Sequence, residues 1–277
     1  MIDNFALIIG AMRCGTTSLF YYLAQHPQIS ACTMKEPNFF ASDDNWANGF
    51  DWYQGLWDWD PLNHTVALEG STHYTKIPWH PNAAARIATT RAKFKFIYIM
   101  RNPLDQIESQ YKYARLHGFM KRPIQDMLPY LIGVAKYATQ IEEYYKRFPA
   151  QTILLLDFED LKEHPLGLVE TVCGFLGIDP SCDFKGVGET HNPYRSGSIN
   201  HPMWDLLRHL RPLKSISKFV PARQKNAIRH FLARKAEARF TLSAEQRDYV
   251  LQQLRGELHK LTVRYGFDVS KWGIVTG

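Results

Sequence analysis

The 277-residue chain is poor in cysteine. Its four, Cys14, Cys32, Cys173 and Cys182, form no C-x-x-C pair and show no zinc spacing with histidines. That argues against a disulfide framework and a metal site, and a reducing compartment is the expectation. Long apolar runs are also missing. FALIIGAM, at 5–12, is far shorter than the roughly 20 residues a bilayer demands, and no basic leader segment accompanies it. A cytoplasmic protein without a membrane span is expected. Internal repeats and low-complexity linkers are absent, so 1–277 is read as one domain. A last absence is chemical. LIIGAMRCGTTSL, at 7–19, places Gly10 and Gly15 at the spacing of G-x-x-x-x-G-K-[ST], but Thr16 stands where the lysine belongs and the positive charge has moved to Arg13.

What is present is a core-forming composition, 45% hydrophobic and 13% aromatic. Four short apolar runs, at 5–9, 65–69, 94–100 and 152–157, are bounded by polar or turn residues, as suits strands buried on both faces of a parallel sheet. Helical patterns fall between and after them, at 16–25, 81–90, 103–117, 124–147 and 165–176, with Pro81, Pro103 and Pro165 near helix starts. The alternation predicts an α/β fold: an open parallel sheet, like that of P-loop proteins, flanked by helices and spanning about 5–200. The last third, about 201–277, carries no strand signal and is expected to be helical. SAEQ at 243–246 has capping-box spacing and opens an amphipathic stretch to Tyr265. From Arg208 to Arg239 ten Lys or Arg are opposed only by Asp205 and Glu237. The stretch is either a solvated face or a surface for an anionic partner, and no aromatic-interleaved motif beside it points to nucleic acid.

In a strand–turn–helix the loop 10–18 makes an anion site, since backbone N–H groups converge there at a helix N-terminus. Thr16, Thr17 and Ser18 add hydroxyls and Arg13 a planar fork. Without the lysine that reaches the β- and γ-phosphates the loop is ill suited to a triphosphate. A sulfuryl group carries less charge and fits it better.

Several segments together name a family. IIGAMRCGTTSL, MKEPNFF at 34–40, FIYIMRNPLDQIESQY at 96–111, LLLDFEDLKEHP with FLGID, and the closing ELHKLTVRYGFDVSKW resemble, in order, segments of the sulfotransferases that use 3′-phosphoadenosine 5′-phosphosulfate (PAPS). The heparan-sulfate, Golgi-type branch and its bacterial relatives are the nearest in pattern. The resemblance implies that Arg13, Cys14, Gly15, Thr16, Thr17 and Ser18 wrap the 5′-phosphosulfate. Arg101 and Ser109 would hold the 3′-phosphate, with Arg195, Ser196 and Gly197 closing over it. It implies Glu36 as general base, Lys35 as a cation for the sulfuryl oxygens, and His73 as the rival base. PAPS is then co-substrate, 3′,5′-adenosine diphosphate (PAP) the product, no metal takes part, and the acceptor is a hydroxyl-bearing molecule, glycan or carrier-tethered chain. The basic stretch 208–239 would suit an acidic carrier. The aromatic-rich segment 46–60 is expected to line or cover the acceptor pocket. Three positions depart from the family pattern: Arg13 replaces a frequent Lys, Asn38 a frequent His, and Gly70 a frequent Lys. Two other readings stay open at this point. One is a kinase or NTPase with Asp157 of TILLLD as magnesium ligand, and the other is a nucleotide-binding domain without catalysis.

Overall fold

The computed structural model describes residues 2–187 and 240–274. Arg195, Ser196, Gly197 and the basic stretch 208–239 lie outside the described residues. Five strands form one parallel sheet: β1 (Asn4–Gly10), β2 (Ile29–Ala31), β3 (Val66–Gly70), β4 (Lys93–Met100) and β5 (Ile153–Asp157), in the order β2-β3-β1-β4-β5. The apolar runs behave as strands buried on both faces: Phe5 to Ile9 and Phe96 to Met100 are fully buried. β2 was not foreseen, because three residues are too few to show a run; it is defined by pairing with β3, Ile29 opposite Val66.

Helices cover the sheet. In chain order they are α1 (Thr16–Leu23), α2 (Asp43–Trp46), α3 (Gly49–Gln54), α4 (Ala83–Thr89), α5 (Pro103–Leu116), α6 (Ile124–Ala135), α7 (Tyr137–Tyr145), α8 (Phe158–Glu163), α9 (Pro165–Leu176) and α10 (Ala244–Tyr265). Pro103 and Pro165 open their helices, where a missing N–H costs nothing. The single helix expected over 124–147 is two. Lys136 (φ −75°, ψ 68°) breaks it, and the freed start of α7 is satisfied from outside. The Glu257 carboxylate of α10 accepts from the Thr139 amide (2.8 Å) and hydroxyl (2.7 Å). Periodicity cannot report such a tertiary cap.

The aromatic segment 46–60 departs from expectation. Tyr53 is fully buried and Trp57 nearly so, and they pack on the inner end of the sheet instead of lining a pocket. Tyr53 stacks on Phe39 at 4.5 Å between ring centroids, and Trp57 meets Phe5 edge-on at 5.3 Å. Burying these rings is worth more than leaving them at a wet rim.

α10 begins as the sequence predicts. The Ser243 hydroxyl accepts from the Gln246 amide, and the Gln246 side chain accepts from the Ser243 amide. Its Val250 and Leu254 pack with Leu104, Ile107 and Leu131 of α5 and α6, while Leu258 and Leu261 join the main core. Ser243→Ala is expected to lower the unfolding free energy by about 1 kcal/mol, the typical worth of such a cap, as read by urea denaturation.

Candidate active site

β1 ends at Gly10, and the chain turns through residues 11–15 into α1. Arg13 and Gly15 both take left-handed backbone (φ 68° and 84°). A side chain at Gly15 would strike Phe158 and Leu161 of α8 within 2.9 Å, so only glycine lets the loop sit this close. The first hydrogen bond of α1 runs from the Leu19 amide to the Gly15 carbonyl (3.0 Å). The amides of Thr16, Thr17 and Ser18 therefore lack partners within the helix, and among the described residues no side chain caps them. They present several N–H groups and the positive end of a helix to one hollow.

Not every loop residue faces that hollow. Cys14 is fully buried, its thiol beside the Tyr137 hydroxyl (3.8 Å), and its amide donates to the Ala11 carbonyl. Burial pushes the thiol up to about 12, so it stays neutral. Cys14 thus packs the loop against the core, and neither its side chain nor its amide is turned toward a ligand.

α5 supplies the second wall. The Arg13 Nε donates to the Ser109 hydroxyl (3.1 Å), and the Arg13 guanidinium lies over the Tyr113 ring at 4.8 Å. Ser109 and Tyr113 are one helical turn apart, so one face of α5 fixes the fork. Arg101, just past the end of β4, rests on the Phe158 ring at 4.9 Å and reaches Asp105 at 3.4 Å. That ion pair is long and Asp105 is exposed, so its worth is at most about 1 kcal/mol. The Arg101 Nε is buried with no hydrogen-bond partner among the described residues. A buried, unpaired guanidinium N–H beside an anion loop is a group awaiting an acceptor. With the open amides of α1, it makes the residues present suited to a ligand carrying two anionic groups.

The third wall comes from the other side of β1. Thr16, Thr17 and Phe20 of α1 share a narrow cleft with Lys35, Glu36 and Gly70. Two expected site segments, 13–18 and 35–36, are thereby brought together. Gly70 lines the cleft without a side chain, beside Phe20, at the position of the lysine in the resembled pattern. Glu36 and Asn38 are both left-handed (φ 50° and 49°), an unusual pair for residues with side chains. The Asn38 side chain donates to the Glu36 carbonyl (2.9 Å), and that of Asn45 to the Pro37 carbonyl (2.7 Å), bracing the turn. Burial raises the Glu36 pKa, while Lys35, Lys76 and the Thr72 hydroxyl pull it back. A carboxylate so poised is a competent proton acceptor.

His73 lies in the short 3₁₀ turn Thr72–Thr75 after β3, with His80 4.8 Å from its ring. Burial, then Lys76 and His80, push it down to about 4, and its Nδ1 is buried without a partner among the described residues. It is neutral and weakly basic at neutral pH, and it does not line the cleft. Lys76 is a residue that sequence reasoning missed. It is only 4% exposed, its pKa lowered to about 8 by burial and sustained by Glu36. Nothing in its sequence spacing distinguishes it from a surface lysine; the turn after β3 buries it.

Asp157 does not behave as a metal ligand. One carboxylate oxygen accepts from the Glu159 amide (2.9 Å), capping α8, and the other from the Trp272 indole (3.0 Å). Behind the cleft Glu69 is fully buried. It accepts from the hydroxyls of Tyr53, Ser71 and Tyr74, and burial pushes it up to about 7.

These features define a parallel α/β protein whose first strand–turn–helix is built to receive an anion beside two arginines, with a carboxylate across the cleft. The sulfotransferase domain model matches residues 3–198, and the chain belongs to that family. It is 31% identical over 202 residues to the bifunctional heparan sulfate N-deacetylase/N-sulfotransferase 1 of Xenopus tropicalis, covering 64% of this chain and 22% of the relative. To the mouse N-deacetylase/N-sulfotransferase 4 it is 26% identical over 290 residues, covering 96% of this chain and 30% of the relative. The chain thus spans less than a third of these curated relatives. A crystal structure of a sulfotransferase from Alicyclobacillus acidocaldarius superposes with a TM-score of 0.67 at 22% identity, over 99% of this chain and 100% of that one, showing the fold. No helix among the described residues is long and apolar enough to cross a membrane.

Two predictions follow from the charges in this site. Lys76→Met is expected to raise the Glu36 pKa further, because the nearest buried cation is gone, and carbon-13 titration of the Glu36 carboxyl reads the shift. Glu69 has its folded pKa raised from 4.5 to about 7, so the native state binds the extra proton between those values. Stability then falls as pH rises across that window, by on the order of 2–3 kcal/mol. Glu69→Gln should remove that slope in urea denaturation compared at pH 5 and pH 8.

Proposed function

We propose that this sulfotransferase moves a sulfuryl group from PAPS to an acceptor hydroxyl, with Glu36 as the base. The observation that carries the reading is the cleft shared by Thr16, Thr17, Lys35 and Glu36, flanked by Arg13–Ser109 and by Arg101 with its buried, unpartnered Nε. PAPS supplies an activated sulfur bonded to a phosphate leaving group. The α1 amides with Thr16, Thr17 and Ser18 would hold the 5′-phosphosulfate, and Arg101 and Ser109 the 3′-phosphate, a dianion matched by a cation and a hydroxyl. Gly15 contributes backbone room and Cys14 the packing that sets the loop.

Glu36 takes the acceptor proton as the oxygen–sulfur bond forms and the sulfur–phosphate bond breaks. Such a base is typically worth 10²–10⁴-fold. Lys35 is placed to offset charge on the sulfuryl oxygens, and Arg13 to stabilise the departing phosphate without donating a proton. The low pKa of His73 supports Glu36 over it. The relatives named above are N-sulfotransferases, and Glu36 serves an amine acceptor by the same proton transfer. The lack of a side chain at Gly70, which lines the cleft, supports an acceptor different from theirs. Docking of an acidic carrier on 208–239 and a cytoplasmic setting belong to this proposal.

Calorimetry in EDTA tests it. PAP is expected to bind without metal, and Arg101→Ala to weaken it by about 10- to 100-fold, the worth of a charge-assisted hydrogen bond pair. Preference for Mg-ATP, indifferent to Arg101→Ala, would instead establish a nucleotide kinase-type loop.

A further inference from the structure

We propose that Glu69 is a positioning residue for the general base: through Ser71 and Tyr74, its buried carboxylate suspends the turn that carries Glu36. The inference rests on Glu36 acting as the base, as proposed above.

The turn needs an anchor. Glu36 and Asn38 are left-handed residues with side chains (φ 50° and 49°), a conformation that L-residues other than glycine adopt only at a cost. It persists only where its surroundings impose it, and such outliers gather at functional sites. Here the imposition comes from β3. The Asn38 amide donates to the Ser71 hydroxyl oxygen (3.0 Å), and the Phe40 amide donates to the Tyr74 hydroxyl oxygen (3.4 Å). Both hydroxyls in turn donate to Glu69, Ser71 to one carboxylate oxygen and Tyr74 to the other (3.1 Å). Tyr53 donates to that second oxygen as well. Two backbone amides of the segment 35–40 thus hang from one carboxylate through one hydroxyl each.

The direction of these bonds depends on the chemistry of Glu69. An ionised carboxylate only accepts, so every hydroxyl around it must point its proton inward and its lone pairs outward. The outward lone pairs are what the Asn38 and Phe40 amides use. An amide side chain at 69 would offer one accepting oxygen and two hydrogens, so one hydroxyl would have to accept from it and send its own proton elsewhere, disturbing the relay. Glu69 is fully buried, and among the described residues no cation lies within ion-pair distance of it. A bare buried carboxylate is expensive unless its bonds are all made. A hydrophobic residue at 69 would fill the core as well. What the carboxylate alone supplies is the polarity of the relay.

The base makes no hydrogen bond to these groups, so Ser71 and Tyr74 act on it through the geometry of the turn, while Glu69 also repels its charge. A displacement of about 1 Å at a reacting group can cost on the order of 100-fold.

The experiment uses water as acceptor, so that no identified acceptor is needed. Sulfate release from PAPS at pH 8, where Glu69 is ionised, is followed for the full chain and for Ser71→Ala, Tyr74→Phe, Glu69→Gln and Glu36→Gln. The balanced step at pH 8 is water plus PAPS giving sulfate, PAP and two protons: a water oxygen bonds to sulfur as the sulfur–phosphate oxygen bond breaks. PAP calorimetry gives the number of competent sites in each preparation. Ser71→Ala and Glu69→Gln are expected to lower kcat per competent site about 10- to 100-fold, with KM for PAPS and PAP affinity unchanged. A purely structural role would lower the melting temperature and the number of sites but leave kcat per site at the wild-type value, and that result overturns the inference. Ser71→Ala and Tyr74→Phe each remove one oxygen from a small turn and keep the question answerable if Glu69→Gln fails to fold. Full turnover by Glu36→Gln would overturn the reading of the base, whereas an inactive Glu36→Gln beside a fully active Ser71→Ala overturns this inference alone.

Discussion

Strand β1 is hydrogen-bonded along both edges, to β3 and β4, and the functional segments gather around its carboxyl end. Ile8 pairs with Ile97 on one side and Gly70 on the other, so the turns after β1, β3 and β4 leave the same edge of the sheet close together. They are tied there individually. The Ala11 amide donates to the Ile99 carbonyl (2.8 Å), the Ser71 amide to that of Ile8 (3.1 Å), and the Thr75 hydroxyl to that of Ile9 (2.7 Å). Shifting β1 by one residue would reverse which side chains face the core and pull all three turns apart. Parallel sheets place their ligands at this edge because the turns converge there.

The two sides of β1 divide the chemistry. The β4–α5 side supplies Arg101, Ser109 and the fork of Arg13, all cations or donors and all held by packing against α5 and Phe158. The β3 side supplies Glu36, Lys35, Lys76 and His73, a mixed cluster in which burial sets the charges. Burial acts oppositely on acids and bases: it lifts Glu36 and depresses Lys76 and His73. Glu36 is thereby made a stronger base than an exposed carboxylate, while His73 is disarmed.

Much of this was legible in the order of residues. Four of five strands, the helix starts at Pro103 and Pro165, and the capping box at Ser243 follow from local rules, since each depends on residues within a few positions. So does the anion loop, because a strand, a left-handed glycine and a helix start suffice to make one. Other features fail local reading for a definite reason. The break at Lys136 is satisfied by Glu257, 118 positions beyond Thr139. The rings of 46–60 look like a pocket lining from their composition, yet Phe5 and Phe39 claim Phe50, Tyr53 and Trp57 for the core. Asp157 reads as a metal ligand until Trp272 and the start of α8 take both of its oxygens.

By itself, then, the sequence determined the fold class, the anion loop and the identities of the charged candidates, because periodicity, turn residues and the resemblance act along the chain. The tertiary structure alone decided which of those candidates share a cleft. It turned Cys14 inward, left Arg101 with an unpaired buried N–H, buried Lys76, and hung the Glu36 turn from Glu69. Those outcomes depend on solvent exclusion and on contacts between segments tens of residues apart, and neither is written in any local pattern.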